Sequence, residues 1–284
     1  MDRTIVTDYI NRQLAGLYSP APNVSVEDKK IEDFIQNTIC LIPCGGESKR
    51  MADKKNRHKS TLTLPDGRSI LEWTITSYAK WGIKRFVLLV GINADSVYES
   101  ISSFQSNDFS ISFSKDPAEG VGRGGAVKHA IESGAVAKTD NMLVHNSDDV
   151  LVNYPGNFLV DVCKTHIQTE ALGGLATAVI ANETKLPYSC MYIKSGRVIS
   201  MADAPNVPIP THVGITVFSP AVQQTFLDMF SYDKKQDFEK LIFPHLAGME
   251  KLYSHKIAKR YWYPVNNPKE YAKLLEVFQK EISD

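Results

Sequence analysis

Phe86-Val87-Leu88-Leu89-Val90 is an unbroken apolar run that stops at Gly91. A strand without polar alternation has no face to offer water, so it belongs in a parallel sheet covered by helices on both sides. Thr38-Ile39-Cys40-Leu41-Ile42-Pro43 is a second such run, closed by Gly45-Gly46, and Asn141-Met142-Leu143-Val144-His145 is a third. Segments with helical spacing lie between them. One opens at Ser69, where Glu72 completes a capping box and Leu71, Ile75 and Tyr78 share a face. Others cover 94–103 and 125–133, with a strand at 111–113 between them. Strand and helix in regular succession predict a doubly wound α/β architecture.

Beyond residue 150 the rhythm changes. Strands are expected at 172–180, 188–193, 197–201 and 212–218, joined by turns such as Lys194-Ser195-Gly196, which makes the sheet mixed and partly antiparallel. Ser219-Pro220 opens a helix, 237–246 forms another, and 268–280 closes the chain with Tyr271, Leu274, Leu275 and Phe278 on one side. Residues 1–37 read as a helical arm: Ile5, Tyr9, Ile10 and Leu14 recur at helical spacing before Ser19-Pro20-Ala21-Pro22 breaks the pattern. Two places suit this arm, over the functional site or against a second subunit in a homodimer. The 284 residues are 43% hydrophobic, enough for a full core.

Charge narrows the possible partners. Thirty-two Lys and Arg balance 32 Asp and Glu, so nothing global attracts nucleic acid or an anionic membrane, and any anion site must be local. No run approaches the roughly 18 apolar residues that span a bilayer, and Met1-Asp2-Arg3-Thr4 opens no signal-peptide core. Cys40, Cys44, Cys163 and Cys190 fit no zinc spacing. Reduced, buried thiols and a cytoplasmic setting are expected.

Three loops carry candidate chemistry, and the strand order brings them to one sheet edge. The first follows strand 38–43: Gly45 and Gly46 let the backbone turn its N–H groups onto phosphate oxygens, and Lys49, Arg50 and Lys59 add counter-charge. Arg50 can fork onto two oxygens, while Lys49 is a mobile point charge. A tight turn with solvated cations is the alternative, and the spacing of a P-loop is absent. The second is Glu119-Gly120-Val121-Gly122-Arg123-Gly124-Gly125-Ala126, whose glycines form either a shelf for a flat base or a purely structural loop. In the third, Asn146-Ser147-Asp148-Asp149, paired carboxylates at a strand exit suit a hard divalent cation or simply cap a turn. Near the C-terminus Asn266 offers a carbonyl oxygen to the same metal, and Asn267 reads as the N-cap before Pro268. His145 reads as a packed histidine, and Trp73, Tyr78 and Trp81 as core.

In this order the segments resemble the sugar-1-phosphate nucleotidylyltransferases from about residue 38 to 277. Gly45-Gly46-Glu47-Ser48-Lys49-Arg50-Met51 is similar to the family's Gly-Gly-x-Gly-(Thr/Ser)-Arg-Leu, with Ser48 for its third glycine. His58-Lys59-Ser60 is similar to Pro-Lys-Pro, Gly122-Arg123-Gly124-Gly125-Ala126 to Gly-Thr-(Ala/Gly)-Gly-Ala, and Asn146-Ser147-Asp148 to Asn-Gly-Asp. Asn266-Asn267 resembles the Val-Asn-Asn of the acetylglucosamine-1-phosphate uridylyltransferase branch. The acceptor half departs more: Asp203-Ala204-Pro205 stands for Glu-Lys-Pro, His212-Val213-Gly214-Ile215-Thr216 for Asn-Ala-Gly-Ile-Tyr, and Pro264 for the aspartate of Trp-x-Asp.

The resemblance implies a Rossmann-like mixed sheet of the nucleotide-diphospho-sugar transferase type, with a nucleotide-binding half at 38–150 and an acceptor-binding half at 151–284. It implies an enzyme that joins the NMP of a nucleoside triphosphate to a sugar 1-phosphate, giving an NDP-sugar and pyrophosphate. Arg50, Lys59 and Asp148 would be catalytic, and Gly45, Gly46, Lys49, Arg50, Glu119, Gly122, Gly124, Gly125 and Asp148 would bind the nucleotide. Asp203, His212 and Gly214 would meet the acceptor, and Asp148 with Asn266 would hold Mg2+ or Mn2+. Arg123 suggests guanine through O6 and N7, as in heptose and mannose guanylyltransferases. A non-catalytic nucleotide-sugar sensor and a metal-dependent glycosyltransferase are the competing readings.

Overall fold

The computed structural model describes residues 4–46, 57–92, 94–104 and 106–283. Two helices, α1 (Thr4–Leu14) and α2 (Asp28–Gln36), precede β1 (Thr38–Cys44). A 3-10 turn (Lys59–Thr61) leads to α3 (Ile70–Trp81), β2 (Arg85–Val90), α4 (Ala94–Ile101), β3 (Ser110–Lys115), α5 (Gly122–Glu132), β4 (Asn141–His145) and β5 (Asp149–Leu151). The second half runs α6 (Phe158–Glu170), β6 (Ala176–Ala181), β7 (Thr184–Lys185), β8 (Cys190–Lys194), β9 (Arg197–Ala202), β10 (Asn206–Val207) and β11 (Thr211–Phe218). It ends with α7 (Val222–Met229), α8 (Phe238–Gly248), β12 (Leu252–Ile257), β13 (Trp262–Pro264) and α9 (Pro268–Ser283).

Seven strands form the central sheet in the order β12-β6-β11-β4-β1-β2-β3. β1 pairs in parallel with β2 and β4, and β2 with β3, while β11 runs antiparallel between β4 and β6. The expected doubly wound mixed sheet is therefore what forms. Every residue of β1 is buried, as its unbroken apolar run requires. Successive side chains leave by opposite faces: Cys40, Ile42 and Cys44 join the core beneath α2, α3 and α6, and Ile39 and Leu41 join the core beneath α5, α7 and α8. A third cluster, with Ile70, Val150, Val265, Leu274 and Phe278, seats α9.

The Ser69 box caps α3 as expected: Glu72 N donates to Ser69 Oγ at 3.1 Å and the Glu72 carboxylate accepts from Ser69 N. Such a cap contributes about 1 kcal/mol. The arm packs on its own chain. Val6 of α1 is buried with its N–H 3.4 Å from Ser200 Oγ, Tyr9 meets Tyr192 at 5.4 Å between ring centroids, and α2 lies on α6. Cys40, Cys44 and Cys163 are buried free thiols and Cys190 is half-buried and free. No helix among the described residues is long and apolar enough to cross a membrane.

Several elements differ from expectation. The strand expected from 172 starts at Ala176, because residues 171–174 turn out of α6, with Gly173 at φ +88°. α6 and the strands β5, β7, β10 and β12 were not expected from the sequence.

Candidate functional site

The chain leaves β1 toward β2 and β3, then crosses through α5 to β4 on the other side of β1. This reversal opens a crevice at the carboxyl ends of β1 and β4, where ligands of open α/β sheets bind. A cleft of about 510 Å³ lies there. Gly45 and Gly46 line it from the exit of β1, Lys59 from the 3-10 turn, Gly120 from the loop before α5, Gly122 from the first turn of α5, Asp148 from beyond β4, and Asn266 from the approach to α9. Lys49 and Arg50 lie outside the described residues.

Lys59 and Asp148 form an ion pair in the cleft, both side chains largely shielded. Each is set by a braced turn. His58 places Lys59: its N–H donates to Ser96 Oγ at 3.0 Å, and its Nδ1 lies 2.8 Å from Ser60 Oγ. Burial first, then the Lys59 charge, pulls the His58 pKa down to about 4, so the ring is neutral at pH 7. On the other side, Ser147 Oγ donates to Pro43 O at 2.7 Å, tying the β4 exit to β1. Asn146 N donates to Gly214 O at 2.9 Å, and Val265 N donates to Asp148 O at 2.7 Å. The last bond brings Asn266 beside Asp148. Asn267 caps α9, its Oδ1 accepting from Glu270 N at 3.0 Å, while Glu270 Oε2 accepts from Asn266 N at 2.8 Å.

The two adjacent carboxylates have different environments. Asp149 is buried, and its Oδ1 accepts from Trp262 Nε1 at 2.7 Å. Burial, reinforced by the neighbouring Asp148 charge, pushes its pKa above the ordinary carboxylate range. Gly214, at φ +75°, makes room for it: a Cβ there would lie 1.9 Å from Asp149 Oδ2. His145 is packed, as the sequence suggested, with Nδ1 2.9 Å from Tyr78 Oη and Nε2 on Asp149 O.

The remaining expected site residues divide. Gly122 lines the cleft, at φ +73°, and a Cβ on it would meet the Gln236 backbone at 2.6 Å. Gly124 and Gly125 do not line it; they let α5 pack, since a Cβ on Gly124 would sit 2.0 Å from the Phe230 ring and one on Gly125 2.9 Å from Val121 Cβ. Glu119 is exposed outside the cleft lining. Arg123 reaches the cleft but pairs with Asp237 at 3.3 Å and Glu239 at 3.1 Å, so its fork is not presented to a base. Asp203 is exposed and accepts from Ser189 Oγ at 2.8 Å, away from the cleft lining. His212 is turned into the fold at a β-bulge, with Nε2 3.0 Å from Thr216 Oγ1 and its ring 5.0 Å from Phe243. Burial pulls its pKa down to about 4. Neither Asp203 nor His212 lines the cleft between β1 and β4, and Gly214 makes room for Asp149.

Asp116, at the exit of β3, and Lys235 and Asp237, between α7 and α8, line the cleft without having been singled out from the sequence. Asp116 had one available signal, its place at the end of the third strand of the parallel series.

The family model described as MobA-like NTP transferase domain matches residues 40–188, just over half of the chain. A glucose-1-phosphate adenylyltransferase of Paramagnetospirillum magneticum is 22% identical over 263 residues, which cover 84% of this chain and 60% of that protein. The chain thus spans about three fifths of the length of that relative. Among solved structures, UDP-glucose pyrophosphorylase complexed with UDP-glucose aligns with a TM-score of 0.62 at 14% identity, over 86% of this chain and 99% of that one. HddC from Yersinia pseudotuberculosis complexed with GMP-PN aligns with a TM-score of 0.60 at 17% identity, over 85% and 99%. At these identities the structural matches speak for the fold.

Proposed function

The chain belongs to the MobA-like NTP transferase family, and on that premise we propose that it is a nucleotidylyltransferase that joins the NMP of a nucleoside triphosphate to a sugar 1-phosphate, releasing pyrophosphate. The observation that carries this reading is the Lys59–Asp148 pair set between braced turns in the β1/β4 crevice. The sugar-phosphate substrate of the adenylyltransferase relative supports the acceptor class.

The reaction requires no protein nucleophile, because the acceptor phosphate is itself the attacking group. Work for the protein is alignment of two anions and neutralisation of charge on the α-phosphate and the leaving pyrophosphate. Lys59 leaves Asp148 to hold the α-phosphate. Gly45 and Gly46 give the backbone room to approach the polyphosphate, and Lys49 and Arg50 take its β- and γ-phosphates. The oxygen donors of Asp148 and Asn266 fit a hard cation such as Mg2+ or Mn2+. Among the described residues no three His, Cys, Asp or Glu side chains cluster as a metal site, so phosphate oxygens and water would complete the coordination. When bound, the cation neutralises phosphate charge. Asp149, buried outside the cleft lining and held by Trp262, leaves Asp148 as the carboxylate of this turn that faces the incoming phosphates. A cytoplasmic setting belongs to this reading, in keeping with the buried free thiols.

Pyrophosphate release from each of four nucleoside triphosphates, mixed in turn with a set of sugar 1-phosphates and magnesium, tests the proposal. Release with at least one pair is expected. No release from any pair, combined with tight binding of a nucleotide sugar, would replace it with the sensor reading.

A further inference from the structure

β8 and β9 form a two-stranded hairpin of their own, outside the central sheet. Such a hairpin is marginal in water unless a face is covered. Directly paired residues of antiparallel strands share a face, so the register sorts the side chains in two. Cys190 with Ala202 and Tyr192 with Ser200 make one face. α1 covers it, with Val6 N 3.4 Å from Ser200 Oγ and Tyr9 packed on Tyr192, and Ser200 and Ala202 are buried. Met191 with Met201 and Ile193 with Val198 make the other face. In that order these four are 52%, 39%, 58% and 41% exposed, so this face is apolar and uncovered among the described residues. Clustered apolar exposure of this kind marks an interaction surface.

Charge along the hairpin indicates what covers it. Lys194 and Arg197 are exposed register partners at the tip. Between them Ser195 (φ +49°) and Gly196 (φ +74°) give the turn the type I′ geometry that sets the two cations side by side. At the root, Asp203 follows Ala202 and by strand alternation belongs to the open face; it is exposed and accepts from Ser189 Oγ at 2.8 Å. The hairpin is therefore positive at its tip, apolar in its middle and negative at its root.

We propose that this face packs on the same face of a second copy of the chain, across a two-fold axis lying between the two hairpins and perpendicular to their strands. That axis reverses strand direction, so the tip of each hairpin lies over the root of the other. The Met191–Met201 pair of each copy then packs on the Ile193–Val198 pair of the other, and Lys194 and Arg197 of each approach Asp203 of the other. A two-fold along the strands would instead bring four cations together. Isologous contacts need a self-complementary patch, and this distribution of charge is self-complementary in the reversed orientation. With 32 basic and 32 acidic side chains, the two copies carry no net repulsion. Strands of five and six residues present a footprint smaller than the about 800 Å² per partner of a standard interface. The dimer is thus a weak one, in equilibrium with monomer at micromolar concentration.

Sedimentation velocity of the full chain from about 1 to 200 µM is the test. The wild type is expected to pass from monomer to dimer across that range, and Met191→Lys to stay monomeric throughout. Lys194→Glu combined with Arg197→Glu, and separately Asp203→Lys, should each weaken self-association at least about tenfold, because each substitution acts at both ends of the two-fold contact. Mixed in equal amounts, those two proteins should form a heterodimer as tight as the wild-type dimer, since opposite charges then meet at both ends. A damaged fold would not recover on mixing. A wild type that stays monomeric at the highest concentration would overturn the proposal, and binding of that monomer to phosphatidylserine vesicles would give the face to a bilayer instead. A dimer that Met191→Lys leaves intact, or charge variants that do not rescue one another, would also overturn it.

Discussion

Asp149 occupies the space that a side chain on residue 214 would fill: an added Cβ would lie 1.9 Å from its Oδ2. Gly214→Ala therefore meets both a left-handed backbone, at φ +75°, and a buried carboxylate held by Trp262. The expected cost is about 2–4 kcal/mol, read as a lower denaturant midpoint with an unchanged slope. Pairing it with Asp149→Ala should recover part of the loss, because the two changes share one volume. Strict additivity in the double variant would contradict this account.

Asp148→Asn keeps the shape of the loop and removes the charge opposite Lys59. Turnover is expected to fall a hundredfold or more, about 3 kcal/mol of transition-state stabilisation, with the melting temperature little changed. Lys59→Met should fall by a similar factor. Normal turnover in either variant, in a steady-state pyrophosphate assay, would remove the pair from the mechanism.

Gly124→Ala separates a packing glycine from a ligand-binding one. Its Cβ would sit 2.0 Å from the Phe230 ring, so the variant should lose about 1–3 kcal/mol of stability through overpacking. Phe230→Leu in the same chain should restore part of it. A variant of native stability that loses only nucleotide affinity would place Gly124 back on the base shelf.

Four histidines are shielded and neutral, His58 and His145 buried and His212 and His255 half-buried. Burial lowers the pKa of His58, His145, His212 and His255 from the ordinary value of 6.5 to about 4 in each case. In the unfolded chain these rings take up protons near pH 6.5, while in the folded chain they resist until about pH 4. The unfolded state then binds more protons, so stability is fully present above pH 6.5 and is lost as pH falls toward 4. Urea melts at pH 7.5, 6 and 5 should show the free energy of unfolding dropping steeply, and His58→Asn should flatten part of the slope. A flat profile would mean that the rings are accessible.

Sequence alone displayed the parallel half of the sheet because burial on both faces writes itself as unbroken apolar runs, in β1 and β2 above all. α6 was hidden: Val160, Val162, Thr165, Ile167 and Thr169 are β-branched and weaken a helical signal. β12 has a mixed polar sequence, LYSHKI, and becomes a strand by adding to β6 at the edge of the sheet. The cleft was half legible. Motif spacing pointed to Lys59, Gly122, Asp148 and Asn266, all of which line it. Asp116 becomes visible only when strand order sets β3 beside β2, and the inward turn of His212 depends on a bulge in the pairing of β11 with β6 that no local pattern announces.

The chain departs from the sheet at Ala181 and re-enters at Thr211, and those two residues are register partners in the β6–β11 pair. Everything between them, including the β8–β9 hairpin, is a closed excursion with its two ends side by side. Its length and sequence can change without altering the pairing of β1 with β4, whose exits open the cleft that holds Lys59 and Asp148. α1 rests on that excursion rather than on the sheet, through Val6 and Tyr9. The chain's first helix and residues 182–210 therefore form one exchangeable cassette, and transplanting either half without the other would strip the hairpin of its cover.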